Sequence, residues 1–366
     1  MSLGECQSKC EHLSLSPLQP ATAHELHLIY LAKGLQATTA IEGNTLTEEE
    51  VQKHLAGQLE VSPSREYLVQ EVKNVESACN ETLEAVEAGR PLELNVRRLK
   101  ALNLKVLEKL DVGTEVVPGE LRLYSVTVGN VYRGAPAEDC EYLLEKLFEW
   151  LEGGTFSPPD KMKSCGVSFA ILKAILAHLY LAWIHPFGDG NGRTARLIEF
   201  QILLSSGVPA PAAHLLSNHY NQTRTEYYRQ LDRASKSGGE VLPFIEYAAQ
   251  GFLDGLKEQL TRVWGQNYEI AWRDYVYEVF RDKDGKSEVR QRLLALELSR
   301  REGPVSKADL AGLSPQLAQL YAQKTPKTLA RDLDALLKRN LVILDQGAYR
   351  ARKEIMLSFR PLTKAR

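Results

Sequence analysis

The chain has 366 residues, of which 44% are hydrophobic and 25% charged, ordinary values for a globular protein long enough to hold two or three domains. Its longest apolar run, 171–184, contains Lys173 and His178 and is too short to cross a bilayer; with no charged-then-apolar leader, neither a membrane partner nor export is expected. Five cysteines, an odd number, argue against a disulfide framework and for a reducing, cytoplasmic setting, and Cys6 and Cys10 lack the two further ligands a metal would need.

The net charge of −2 hides an asymmetry. Residues 290–366 carry sixteen Lys and Arg against seven Asp and Glu, a net +9 that leaves −11 for the rest of the chain. Such a split speaks of partners, not of fold.

Taken in order, residues 1–20 are rich in Ser, Pro and Gln and are expected to form a loosely held lead-in. Leu26, Ile29, Tyr30, Ala37 and Ile41 are compatible with a helix over 24–41, which Gly34 weakens in its middle. Gly43 is a natural helix stop, and Thr45 or Thr47 caps the acidic start of a helix over 48–55. Read by itself, Glu42 is a surface carboxylate at a helix end. Two or three helices are expected over 64–112, with a break at Pro91 and near Asn95. Ser125-Val126-Thr127-Val128-Gly129-Asn130-Val131 alternates β-branched residues and then offers Gly-Asn, the pattern of a β-hairpin. An amphipathic helix over 141–151 ends at a Gly-Gly break.

An apolar helix over 168–184 then delivers His185-Pro186-Phe187-Gly188-Asp189-Gly190-Asn191-Gly192-Arg193-Thr194-Ala195-Arg196. Proline breaks the helix, three glycines let the backbone turn back, and a second apolar helix runs over 194–204. A glycine-rich turn opening a helix points backbone N–H groups into one concavity, where the helix dipole favours anions. Arg193 and Arg196 are neighbours on one helix face, and arginine suits phosphate oxygens. Asp189 is a hard oxygen ligand suited to a magnesium ion bridging phosphates. His185 can take a proton from a hydroxyl at neutral pH, and Phe187 reads as the core anchor of the turn. This is a polyphosphate cradle with a base at its lip.

The same stretch matches the motif of the Fic family (histidine, any residue, phenylalanine, any residue, Asp or Glu, Gly-Asn-Gly-Arg, two residues, Arg) at every fixed position. The resemblance covers roughly 25–250. It implies transfer of AMP from ATP to a hydroxyl side chain of a target protein, and of the chain itself, with release of pyrophosphate. It also implies a homodimer. Thr38, followed by Glu42-Gly43-Asn44, resembles the family's inhibitory motif, in which the glutamate pairs with the second motif arginine, here Arg196. That arginine cannot hold a glutamate and the terminal phosphate of ATP in one place. The same glutamate could instead orient water for removal of AMP, and the sequence leaves restraint and reversal both open. The hairpin resembles the flap that binds the target segment as an added strand, which places Val128, Gly129, Asn130 and Val131 against the nucleotide; the chain keeps one proline, Pro136, where the family often has two. Tyr227 and Tyr228, spaced to Leu231 and Ala234 along one helix face, resemble the tyrosine pair near the nucleoside, with core packing as the plain alternative. Ser235 stands where the family has an adenine-contacting asparagine.

The last third differs. A helix opening at Pro243 closes the core near Leu260, and helices are expected over 268–280, 287–301 and 313–322. Thr325 and Pro326 then open a helix over 325–339 with Leu329, Leu333, Leu336 and Leu337 inward and Lys327, Thr328 and Arg331 outward. Residues 341–350 read as a two-stranded wing. This segment resembles a winged helix, a module that binds DNA or protein, and its positive charge favours phosphate backbone.

The expected fold is mainly α: a Fic-type helical core with a β-hairpin flap, plus a C-terminal winged-helix-like α+β domain. The expected divisions are 1–112, 113–260 and 261–366. In the expected reaction Gly188, Gly190, Asn191 and Gly192 line the cradle, with the asparagine amide and backbone N–H groups on the phosphates. Arg193 and Arg196 neutralise the β and γ charges, Asp189 holds Mg²⁺, and His185 takes the proton of the attacking hydroxyl. A nucleotide-sensing, DNA-binding transcription regulator is the alternative.

Overall fold

The chain opens on a helix, α1 (Ser2–Leu15), in place of the expected loose lead-in. Cys6 and Cys10, one turn apart, are buried on a single face, an i, i+4 pair that the polar composition around it masks. The computed structural model describes residues 2–128, 132–159 and 165–357, which form two compact units, Met1–Val263 and Trp264–Arg366.

In the first unit, α2 (Pro20–Ala40) has proline in its first turn and runs unbroken through Gly34. Helix α3 (Glu48–Leu55) begins in a capping box, in which the Thr47 hydroxyl accepts from the Glu50 N–H and the Glu50 carboxylate accepts from the Thr47 N–H. Helices α4 (Glu66–Glu87) and α5 (Val96–Val106) follow, the latter capped by the Asn95 side chain. A short hairpin pairs β1 (Thr127–Val128) with β2 (Tyr132–Arg133), with Thr127 opposite Arg133 and Val128 opposite Tyr132. Its connection, 129–131, lies outside the described residues, as do the expected nucleotide contacts Gly129, Asn130 and Val131. Then come α6 (Cys140–Glu152), α7 (Gly166–Ile184), α8 (Asn191–Ser205), α9 (Ala210–Ala213), α10 (Leu215–Gln222) and α11 (Arg224–Lys236).

Helices α7 and α8 pack against each other at the centre, with α1 and α6 against α7 and α4 and α5 against α8. Helix α7 is long and apolar enough to cross a membrane, yet it buries Ile171, Ile175, Leu179 and Leu181 in the core. Helix α8 is buried almost throughout, and its buried residues include Arg193, Arg196, Glu199 and Gln201. Charges are placed there only when partnered, because an unpaired buried charge costs several kcal/mol or more.

Helix α12 (Leu242–Val279) joins into one element the two segments expected separately, because no proline interrupts it and Gly265 alone does not end a helix. Its last turns belong to the second unit, where Trp272, Val276 and Phe280 pack with Leu294, Leu298, Leu333 and Leu336. That unit continues with α13 (Lys286–Ser299), α14 (Pro315–Tyr321) and α15 (Pro326–Lys338). A hairpin of β3 (Val342–Asp345) and β4 (Ala348–Ala351) closes it, and Val305 bridges Tyr349 on the other side of β4. Positive φ at Gln346 and Gly347 gives the two-residue hairpin turn. Asp332 of α15 is the buried hub: it accepts from Arg290 Nε (2.7 Å), Gln291 Nε2 (2.9 Å) and the Tyr321 hydroxyl (3.0 Å).

Candidate active site

The loop between α7 and α8 is built by its own side chains. His185 ends α7 in the left-handed conformation, φ 49° and ψ 60°, uncommon for a residue with a side chain and costing of order 1–3 kcal/mol. Phe187, 1% exposed, anchors the turn in the core. The Phe187 N–H donates to Asn191 Oδ1 (2.9 Å), and Asn191 Nδ2 donates back to the Phe187 carbonyl (2.8 Å). The asparagine side chain thus braces the loop, with one of its two amide hydrogens on the Phe187 carbonyl. Gly190, at φ 75°, is the N-cap of α8, whose first residues Asn191 and Gly192 line the cavity described below.

Glu42 sits over that first turn. A Cβ on Gly192 would lie 2.1 Å from Glu42 Oε1, so only glycine admits the carboxylate there. Arg196 Nη2 donates to Glu42 Oε1 at 2.5 Å and to the Thr38 carbonyl at 2.9 Å. Burial by itself would raise the Glu42 carboxyl, but Arg196, with Arg193 and His185 adding to it, holds it below the usual carboxylate range. A carboxylate therefore occupies an anion cradle made by a helix N-terminus and a buried guanidinium. The turn that carries it is held from several sides. Asn44 donates to Glu71 Oε2 (2.8 Å), Arg224 to the Ala40 carbonyl (3.1 Å) and the Tyr228 hydroxyl to the Ile41 carbonyl (3.2 Å).

Arg193 is also pinned, donating to Glu71 Oε1 (3.1 Å) and Asp189 Oδ1 (3.2 Å). Asp189 keeps 48% of its side chain open. One exposed carboxylate fits a magnesium ion that takes its remaining ligands from phosphate and water. No group of three or more His, Cys, Asp or Glu that could hold a metal occurs among the described residues.

The His185 ring is held so that one nitrogen can accept a proton. Its Nδ1 lies 3.4 Å from the Ala182 carbonyl, which can only accept, so the ring hydrogen sits on Nδ1 and the Nε2 lone pair is left free. Burial pushes the imidazole below its ordinary value, partly opposed by the Ala182 carbonyl and Glu42, so the ring is neutral at pH 7. Its backbone is clamped by Arg122, which is 3% exposed. Arg122 Nε donates to the His185 carbonyl (2.7 Å), Nη1 to the Tyr124 carbonyl (2.6 Å) and Nη2 to the Ala135 carbonyl (2.5 Å). One guanidinium thereby ties the His185 turn to both ends of the hairpin.

A cavity of about 520 Å³ opens beside these groups, lined by Glu42, His185, Gly192, Tyr227, Tyr228 and Ser235 among others. Tyr227 is buried and Tyr228 half-exposed at its wall. Ser235 donates its hydroxyl to the Asp232 carbonyl (2.8 Å), leaving its oxygen as an acceptor. Tyr132 of β2 lines the cavity and donates to the Trp183 carbonyl (2.7 Å), docking the hairpin on the end of α7. Val128 belongs to β1, and Gly188 packs under Tyr124.

Sequence reasoning missed Arg122, Glu71 and Asn103. Asn103, fully buried, donates to the Asp189 carbonyl (2.9 Å) and accepts from the Gly119 N–H (2.9 Å). The available signal was a polar residue on the apolar face of α5, between Leu99, Leu102 and Val106. Arg122 offered none, since an arginine ahead of a strand is ordinarily on the surface.

Residues 93–203 match the model of the Fic/DOC family. The protein adenylyltransferase fic-1 of Caenorhabditis briggsae is 28% identical over 249 residues, 67% of this chain and 44% of that protein. Its namesake in Caenorhabditis elegans is 27% identical over 252 residues, 68% of this chain and 44% of that protein. The chain thus spans less than half the length of these curated relatives. Among solved structures, a Fic family protein from Desulfovibrio desulfuricans shares the fold over 96% of this chain and 95% of its own, with a TM-score of 0.56 at 21% identity. A fragment of Caenorhabditis elegans Fic-1 aligns over 71% of each chain, with a TM-score of 0.56 at 25% identity. With the His185 to Arg196 motif folded as a cradle inside the matched segment, this chain carries a Fic-type domain over residues 93–203.

Proposed function

We propose that the protein transfers AMP from ATP to a Ser, Thr or Tyr hydroxyl of a target protein, and to itself, under restraint by Glu42. The observation that carries this reading is the Glu42 carboxylate on Arg196, above Gly192 and at the edge of the cavity that His185 also lines. It occupies the place an ATP phosphate would take. The names of the Caenorhabditis and Drosophila relatives, protein adenylyltransferases, support transfer over a purely nucleotide-sensing regulator.

In this reading the α8 N-terminus receives the phosphates through backbone N–H groups, and Arg193 and Arg196 offset their charge. The target hydroxyl approaches along the hairpin, its oxygen forms a bond to the α-phosphorus, and the bond to the bridging oxygen breaks to release pyrophosphate. The hydroxyl proton passes to His185 Nε2. A magnesium ion, held by Asp189 and the phosphates, would supply further charge neutralisation. Incubation with α-labelled ATP tests the assignment: His185→Ala should lower protein labelling by at least roughly 10²-fold, the lower end for general-base help, while ATP affinity survives. Undiminished labelling by that variant removes the base from this account.

For the second unit we propose a winged helix that contacts DNA backbone. The order α13, α14, α15 and a terminal hairpin, with Val305 bridged to β4, supports the first part. Lys324, Lys327 and Arg331, exposed on and just before α15 without an ion pair among the described residues, support the second. The wing argues less strongly, since Arg350 is paired with Asp345 and Glu354. Reversing Lys327 and Arg331 should reduce the slope of log affinity against log salt by about 2 in a gel-shift with the full chain; an unchanged slope rejects this surface. The homodimer that family resemblance implies belongs to the same proposal and is checked by light scattering. So does a cytoplasmic setting, supported by five free cysteines and checked by fractionation.

A further inference from the structure

Each arginine of the cradle is paired with a carboxylate, and the two carboxylates come from different helices. Arg196 holds Glu42, just past the end of α2, and Arg193 holds Glu71, on α4. Both guanidiniums are buried, and the side chain of Glu71 is 17% exposed. Helix α4 packs against both α2 and α8, which puts Glu71 within reach of each.

Glu71 uses its two oxygens on these two elements. Oε1 accepts from Arg193 Nη1 at 3.1 Å, and Oε2 accepts from Asn44 Nδ2 at 2.8 Å. The buried Asn44 side chain is fully used. Its Nδ2 also donates to the Leu68 carbonyl, one turn before Glu71, at 2.9 Å, and its Oδ1 accepts from the Leu46 N–H at 2.9 Å. Gly43, at φ 104°, turns the chain between Glu42 and Asn44, a conformation that a residue with a side chain rarely adopts. Across this one glycine, the carboxylate reaches α8 and the amide reaches α4. Arg224 and Tyr228 hold the backbone ahead of Glu42 with side chains open to solvent. The ties behind it, through Asn44, are the buried ones.

We propose that Glu71 is the latch of the restraint, a positioning residue that holds Glu42 on Arg196 through Asn44 while keeping Arg193 occupied. This deepens the reading of Glu42 as an inhibitory group and rests on it. Glutamine has the shape of glutamate but a single acceptor oxygen, so at this position it cannot serve both donors. The charged guanidinium makes the stronger bond, and the tie to Asn44 is the one lost. Loosening the turn and removing a charge from beside Arg193 act in the same direction, since both clear the cradle for a triphosphate.

Labelling with α-labelled ATP and amide hydrogen exchange, both on the full chain, make the test. Glu71→Gln and Asn44→Ala should each raise labelling about fivefold or more, the lower end of a coupling between two sites. In Glu42→Gly nothing remains to be latched, so adding Asn44→Ala should change labelling by less than about twofold. The amides of Glu42, Gly43 and Asn44 close the turn onto the Thr39 and Ala40 carbonyls. They should exchange about fivefold faster in Glu71→Gln, with those of α6 unchanged. A general loss of packing would speed exchange throughout, and its effect would not vanish with Glu42. Being isosteric, Glu71→Gln carries the test if Asn44→Ala does not fold. Unchanged or lower labelling by Glu71→Gln, unchanged exchange in the turn, or an equal gain from Asn44→Ala with and without Glu42 overturns the latch. If Glu42→Gly itself labels no better than wild type, the restraint reading fails first, so the two failures are told apart.

Discussion

Arg122 Nε donates to the carbonyl of His185 at 2.7 Å, fixing the one non-glycine residue of the site whose backbone is left-handed. Its remaining donors bind main-chain carbonyls at both ends of the hairpin, so the His185 turn and the hairpin share one buried cation. Arg122→Lys keeps the charge but loses the fork of donors. We expect kcat for protein labelling to fall by about 10²-fold, the scale of a small misplacement at a reacting centre, with helical content unchanged. A kcat within twofold of the parent would show the clamp to be dispensable.

Glu42→Gly frees Arg196 and opens the cradle. Labelling of target and of the chain itself should rise roughly 5–150-fold, the usual span of a coupling between sites. Equal labelling by parent and variant would make Glu42 a surface residue that happens to touch Arg196. A release of AMP from pre-modified target that needs Glu42 would assign it to reversal.

Acid should affect the two key groups differently. Burial holds His185 below its ordinary value, so the base is neutral at pH 7 and its rate limb lies on the acid side of the ordinary imidazole range, about 6.5. Glu42 raises this imidazole, so Glu42→Gly should move the limb to still lower pH. NMR titration of the His185 ring in both proteins checks the direction; a shift upward in the variant contradicts it.

The Glu42 carboxyl is itself depressed in the folded protein. Its contribution to stability is therefore complete above the unfolded carboxylate value and is lost as pH falls through the lower, folded one. Restraint should persist through pH 5–8, and activation of the wild type by mild acid in that window would contradict the pairing.

In the second unit, Asp332→Ala strips Arg290, Gln291 and Tyr321 of their common acceptor. Removing one partner of a buried pair costs about 3–5 kcal/mol, so unfolding of this unit should move to markedly lower denaturant, followed by the fluorescence of Trp272. A change under about 1 kcal/mol, the range of exposed pairs, would mean water replaces the carboxylate.

Local order was written in the chain itself. The apolar run ending at His185 and Pro186, the glycines that let α8 begin at Asn191, and the Thr47–Glu50 capping box depend on neighbours within a few positions. Their helices are where periodicity places them, to within a turn. Composition misled where it outweighed spacing, as in α1, whose Cys6 and Cys10 face is hidden among polar residues. Only the folded chain decided that Glu42, 154 residues before Arg196, covers Gly192. The same holds for Arg122 on His185 and for Glu71 between Asn44 and Arg193. The physical reason is that periodicity tells which face of a helix is buried, whereas the partner of a buried charge depends on which helices pack against that face.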